Sequence, residues 1–134
     1  MEVRIYYEDT DAAGVVYHAN YLKYFERART EYLRERDFSV SSLAASGYVF
    51  PVVRIVIDFK APAVHDDILS IVTMPERITG SSITFRQQAV RLVDGKLLVD
   101  SKVTLACISP PHKARRIPIS VRQMLETECL QGIK

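Results

Sequence analysis

Two periodicities divide this chain. Between Asn20 and Arg36 the apolar residues Tyr21, Leu22, Phe25, Ala28, Tyr32 and Leu33 recur every three or four positions, with Lys23, Arg27, Glu31, Arg34 and Glu35 between them. That spacing predicts one long amphipathic helix, with Asn20 as its N-cap. From Val49 the period drops to two. Val49, Pro51, Val53, Ile55, Ile57 and Phe59 alternate with a mixed set, which predicts a long antiparallel strand with one face fully buried. Three more strands are expected, from Ile68 to Ile78, from Ser82 to Val93 and from Lys96 to Ile108. Between them lie turn residues at Pro62 to Asp67, at Thr79-Gly80-Ser81 and at Asp94-Gly95, the last a tight-hairpin dipeptide. A short strand from Glu2 to Tyr7 opens the chain, and a shorter helix from Val40 to Ser46 is stopped by Gly47. Pro110-Pro111 closes the sheet region, and a last helix from Ser120 to Leu130 carries Val121, Met124, Leu125 and Leu130 on one side.

One strand, a long helix and four strands make a two-layer α+β domain, because a sheet must bury one face and the helix is the available cover. The other face of the expected sheet is also partly apolar, which predicts pairing with a second copy. At 134 residues the chain is expected to be a single domain spanning 1–134. A hydrophobic content of 48% with 25% charged residues is the ordinary globular balance and argues against disorder. No apolar run suits a membrane span, and the N-terminus lacks the pattern of a secretory signal. A net charge of +2 gives no nucleic-acid footprint and leaves room for a small anionic ligand. Cys107 and Cys129 lack metal-ligand spacing, so they are expected to be reduced and buried, in a cytoplasmic protein.

The densest polar segment runs from Tyr6 to Asn20 and places Glu8, Asp9, Thr10, Asp11 and His18 in a loop that empties into a helix start. A helix start offers unpaired N–H groups and a positive dipole end, suited to a polarised carbonyl. A carboxylate beside it can serve as general base or nucleophile. Turn formation and capping account for Asp9, Thr10 and Asp11 equally well. His65 and His112 flank proline-bearing turns and read as solvent-facing, and the three histidines lack the spacing of a metal site. Phosphate loops and serine elbows are absent from the sequence. Lys113, Arg115 and Arg116 form a cationic run that can clamp phosphates or simply be solvated.

Taken whole, the segment Tyr6-Tyr7-Glu8-Asp9-Thr10-Asp11-Ala12-Ala13-Gly14-Val15-Val16-Tyr17-His18-Ala19-Asn20-Tyr21, followed by Phe25-Glu26-Arg27-Ala28-Arg29-Thr30-Glu31, resembles the hotdog-fold acyl-CoA thioesterases. Within them it is most similar to the Tol–Pal-associated branch related to 4-hydroxybenzoyl-CoA thioesterase. The resemblance extends through the Ala61-Pro62 turn, Asp66-Asp67 and the Pro110 exit. It implies a hotdog fold, a five-stranded antiparallel sheet wrapped around one long central helix, which pairs into dimers and commonly tetramers. The implied activity is hydrolysis of acyl-CoA to free acid and CoA, without a metal or cofactor. Asp11 then matches the catalytic carboxylate, His18 the helix-entrance histidine whose neighbouring backbone N–H polarises the thioester carbonyl, and Tyr7, Thr10 and Gly14 belong to the same motif. Ala13 departs from relatives that carry a second glycine there. CoA phosphates would give Lys113, Arg115 and Arg116 a task. A non-catalytic protein of the same fold, docking on acyl carrier protein or phospholipid-synthesis enzymes, is the competing expectation. The expected location is cytoplasmic, with a peripheral place at the inner membrane compatible with it. A dehydratase would need its acid and base on the helix, where only Glu26 and Glu31 stand.

Overall fold

The computed structural model describes residues 1–129. Along the chain run β1 (Glu2–Arg4), α1 (Asn20–Arg34), α2 (Val40–Ala45), β2 (Val52–Phe59), β3 (Ile68–Ile78), β4 (Ser82–Arg91) and β5 (Leu97–Ala106). A two-residue pair, β6 (Ile108–Ser109) and β7 (Lys113–Ala114), precedes α3 (Ile119–Glu128). Leu130, expected on the apolar side of the last helix, lies outside the described residues.

The main sheet has the order β1-β3-β4-β5-β2, every neighbouring pair antiparallel. Its inner face is set by alternation on β4, where Ile83, Phe85, Gln87 and Ala89 are buried and Thr84, Arg86 and Gln88 face outward. Across the β4–β5 ladder these meet Leu105, Val103, Ser101 and Val99. Onto that face α1 lays Tyr21, Tyr24, Phe25, Ala28 and Tyr32, the anticipated stripe with Tyr24 added and without Leu22, which is 40% exposed. The core divides into two apolar clusters, one around Tyr21, Phe25, Leu69 and Ile71 and one around Tyr32, Phe85, Val103 and Leu125. A polar band lies between them. Gln87 Nε2 donates to the Phe25 carbonyl at 2.9 Å and to Thr73 Oγ1 at 3.0 Å. Arg29 Nη1 donates to Gln87 Oε1 at 3.0 Å, and Ser101 Oγ to the Gln87 carbonyl at 2.9 Å. Satisfied in this way, buried polar groups fix one seating of the helix on the sheet.

Several boundaries differ from expectation for local reasons. β1 stops at Arg4 because Asp9 Oδ2 accepts the Tyr6 N–H at 2.7 Å and draws the chain into a 3-10 turn over Tyr7–Asp9. α1 ends at Arg34: Asp37 takes φ +67° and the Phe38 N–H returns to the Leu33 carbonyl, a Schellman closure. Its N-cap is Ala19, while Asn20 Nδ2 donates to the Asp9 carbonyl and ties the helix to the loop before it. The Asp94-Gly95 turn belongs to a longer loop over 92–96, held by Arg91 and the Lys96 N–H on Asp94.

The largest correction concerns β2. Neither of its faces is buried. It is an edge strand paired only with β5, and α1 touches its inner face only near Phe59, whose ring lies 5.8 Å from that of Tyr21, so Ile55 and Phe59 remain 37% and 51% exposed while Ile57 is partly buried against the core. Both cysteines are unpaired and buried, and burial raises the Cys107 thiol.

Candidate active site

The loop from Tyr7 to Ala19 is built by backbone bonds to its own carboxylates. Asp9 is consumed by structure: its carboxylate accepts Tyr6 N–H, and its carbonyl accepts both Tyr17 N–H and Asn20 Nδ2 at 2.9 Å. The buried Tyr24 hydroxyl lies close enough to Asp9 to feel its charge, though without hydrogen-bond geometry. Burial first, and Asp9 second, push that hydroxyl above its ordinary range. Asp11 is bound differently. Its Oδ1 accepts the Ala13 N–H at 2.8 Å, its N–H donates to the Val15 carbonyl, and Oδ2 has no protein donor among the described residues. Gly14, at φ +79°, supplies the left-handed step that closes this turn, and its N–H donates to the Asp11 carbonyl.

Asp11 and His18 line one open cavity of about 350 Å3, with Val15, Val16, Tyr21 and Phe59 among its walls. The His18 ring lies tilted against that of Tyr17 at 4.7 Å and meets Phe59 edge-on at 6.2 Å. At the helix start, Tyr17 N–H donates to Asp9 and Asn20 N–H to Tyr17. The N–H groups of His18 and Ala19 donate to no acceptor among the described residues. Free donors at the positive end of α1 and an exposed carboxylate that shares a cavity with His18 are the parts needed to polarise a carbonyl and attack it.

The remaining expected residues scatter. Thr10 Oγ1 donates to the Tyr7 carbonyl at 2.7 Å and completes the 3-10 turn, and Tyr7 is 80% exposed, its ring 6.1 Å from that of His65. Neither they nor Gly14 line the Asp11 cavity. Lys113, Arg115 and Arg116 follow β6 and do not line it within this chain. Arg115 stacks on the Tyr48 ring at 3.8 Å and donates to the Gly47 carbonyl at 3.1 Å, capping the end of α2. Two wall residues were not anticipated, Lys60 and Phe59. Their only signal in the sequence is their place at a strand end beside the Ala61-Pro62 turn. Among the described residues no group of three His, Cys, Asp or Glu side chains is placed to hold a metal ion, and no helix is long and apolar enough to cross a membrane.

With this geometry in view, comparisons identify the class. Residues 13–98 match the family model of the Thioesterase superfamily, and the chain belongs to that family, with its hotdog α+β fold. It is 43% identical over 120 residues, covering 89% of each chain, to "Acyl-CoA thioester hydrolase YbgC" of Escherichia coli O157:H7. A solved probable thioesterase from Bartonella henselae superposes with a TM-score of 0.81 at 39% identity, over 88% of this chain and 97% of that one. A 1,4-dihydroxy-2-naphthoyl-CoA thioesterase from Synechocystis superposes with a TM-score of 0.87 at 25% identity, over 93% of each.

Proposed function

We propose that this protein hydrolyses acyl-CoA thioesters, with Asp11 as the catalytic carboxylate and the His18 backbone N–H as the donor that polarises the carbonyl. The observation that carries the reading is the pairing, in one cavity, of a carboxylate whose Oδ2 is free with an unpaired helix-start donor. In the reaction the acyl carbon gains an oxygen, its bond to sulfur breaks, and the CoA sulfur takes up the proton. Asp11 either removes that proton from the attacking water or itself adds to the acyl carbon, forming an anhydride that water then opens. A thiolate leaves readily, so one carboxylate and one oxyanion donor suffice. The His18 ring stacks over the same space and orients the substrate.

The whole chain, 1–134, acts as one catalytic domain with α1 as the helix that the sheet wraps. The length of the Tyr6–Glu31 motif supports a place in the Tol–Pal-associated branch, with a cytoplasmic location and peripheral work at the inner membrane as the reading that goes with it. An acyl carrier protein presents the same phosphopantetheine thioester as CoA and is a second candidate donor. The free β2 edge and its bare apolar inner face support a homodimer closed through β2, with tetramers as pairs of such dimers. In that arrangement Lys113, Arg115 and Arg116 reach the partner's site, where CoA phosphates need cations.

The test is thiol release from a panel of acyl-CoA esters. Asp11→Asn should lower kcat by about a hundredfold or more, as loss of a principal acid–base group does, with the fold intact by circular dichroism. Wild-type turnover in that variant would remove Asp11 from its role. Single turnover in heavy-oxygen water separates the two routes, because only the anhydride route leaves label in the Asp11 carboxylate.

A further inference from the structure

The outer face of the sheet, turned away from α1, carries a polar groove of about 600 Å3 that shares no lining residue with the Asp11 cavity. Strand register builds it. Arg54 on β2 stands opposite Thr104 on β5, Thr104 opposite Thr84 on β4, and Thr84 opposite Arg77 on β3. One rung across four strands therefore reads Arg-Thr-Thr-Arg, and all four residues line the groove. At about 4.8 Å per strand the two arginine backbones lie roughly 14 Å apart, with the threonines between them. The two threonine hydroxyls meet at 3.0 Å. Lys102, the next outward residue along β5, lines the same groove and pairs with Glu76 at 3.3 Å.

A bulge concentrates the charge. The β3–β4 register shifts between Pro75 and Arg77, and Glu76 is the extra residue. Glu76 and Arg77 are consecutive, yet both line the groove, where a regular strand would turn one of them to the core. The charges on this face are also sorted by sign. Toward one end Asp58 and Asp100 stand opposite each other, and Asp100 engages Arg86 at 2.9 Å. Toward the other, three cations gather around a single carboxylate, which Lys102 already holds. Among the described residues the exposed guanidinium groups of Arg54 and Arg77 make no ion pair and no side-chain hydrogen bond. Like charges collected in this way repel one another, and an anion set between them reverses that cost.

We propose that this groove binds a ligand carrying two or three linked phosphates. Each arginine fork grips phosphate oxygens two at a time, so the rung offers a clamp at either end. The threonine hydroxyls donate to oxygens held between the forks, and Lys102 adds a third positive charge. Size fits the same class. A cavity of about 150 Å3 holds benzene, and the groove is about 600 Å3, room for several phosphate groups.

Calorimetric titration of the whole protein with sodium tripolyphosphate, at low salt and without acyl-CoA, tests the site. Tripolyphosphate should bind, orthophosphate about tenfold more weakly because it brings less charge, and added salt should weaken both. Arg54→Gln and Arg77→Gln should each weaken tripolyphosphate roughly tenfold, the loss of a charge-assisted bond, while thiol release from acyl-CoA stays at the wild-type rate. Glu76→Gln frees Lys102 from its ion pair and should tighten binding a few-fold, a gain that no damaged fold can produce. ATP separates the sources of the phosphates: affinity equal to that of tripolyphosphate means that the phosphate chain alone is read, and tighter binding means that a nucleotide supplies it.

A wild-type protein that binds no tripolyphosphate would overturn the proposal, as it would if a second copy covers this face. Orthophosphate binding as tightly as tripolyphosphate would overturn the clamp on linked phosphates. So would an affinity that falls with Arg116→Gln and not with Arg54→Gln or Arg77→Gln, because the anion would then sit on the basic run after β6. The titration measures binding without turnover, so its failure and that of Asp11 as catalytic carboxylate are told apart.

Discussion

β4 and β2 carry the same written pattern. On β4, Ile83, Phe85 and Ala89 alternate with Thr84, Arg86 and Gln88, and the three inner residues are 3% exposed or less. On β2, Ile55, Ile57 and Phe59 alternate with Arg54, Val56 and Asp58, on the same side of the same sheet, yet Ile55 and Phe59 remain largely open. The difference is position. β4 lies in the middle of the sheet under α1, whereas β2 lies at the edge, where α1 covers it only near Phe59 and Ile57. The homodimer proposed above would cover this exposed apolar face.

The sharpest way to break this comparison is to damage each strand in turn. Phe85→Ala removes a fully buried ring from the second core cluster and should cost about 3–5 kcal/mol of stability, seen as a lowered midpoint in denaturant with the assembly state unchanged. Ile55→Asp puts a charge on the inner face of β2, where the single chain leaves room for it. That variant should keep its far-ultraviolet spectrum, sediment as a monomer and lose turnover. A stable, active oligomer carrying Ile55→Asp would remove β2 from the interface.

What could be seen in advance follows from range. The helix stripe, the strand spans from Ile68 to Ile78 and after Ser82, and the Tyr6–Asn20 loop are set by neighbours in sequence, and pattern alone exposes them. Alternation says that one face of β2 is apolar but not what covers it, because burial depends on strand order, and β2 pairs with β5 rather than with the strand that follows it. The site was legible to the same degree. Asp11, His18 and the helix start at Asn20 sit within nine positions of one another, whereas Phe59 and Lys60 arrive from a distant strand end. Arg29 was visible only as part of a motif, and its bond to Gln87 crosses from helix to sheet. Asp9 and Asp11 look alike in sequence. Both carboxylates accept a loop N–H, and what separates them is that the Asp11 side chain lines the cavity while Asp9 does not.

A smaller effect is expected from the basic run. If β2 pairing delivers Arg115 and Arg116 to the partner's site, replacing both by Gln should raise KM for acyl-CoA a few-fold and change kcat little, since phosphate contacts remote from the carbonyl contribute uniform binding. Added salt should shrink the effect, and an acyl-pantetheine ester lacking the nucleotide should not show it. Arg115 also stacks on Tyr48 and caps α2, so Arg115→Gln should lower stability slightly where Arg116→Gln does not. An unchanged KM at low salt would leave the run as a solvated surface.

The smallest effect contrasts the outer faces of the same strands. On β5, Asp100 accepts a fork of bonds from Arg86 on β4, at 3.2 and 2.9 Å, and one from Gln88 at 3.3 Å. The Arg86 bonds hold its carboxyl below the ordinary aspartate range, against the opposing push of partial burial. Opposite Asp100 on the edge strand stands Asp58, a like charge across the ladder. A depressed folded-state pKa adds stability that is complete above the unfolded value and disappears as pH falls through the folded one. Asp100→Asn should therefore cost about 1 kcal/mol or less near neutrality, because the pair is half-solvated, and the difference from wild type should vanish in strong acid. Asp58→Asn should act in the other direction, stabilising by a few tenths of a kcal/mol by removing the repulsion. Denaturant midpoints of the three proteins between neutrality and strong acid check both signs, and a cost for Asp100→Asn that grows as pH falls would contradict the ion pair.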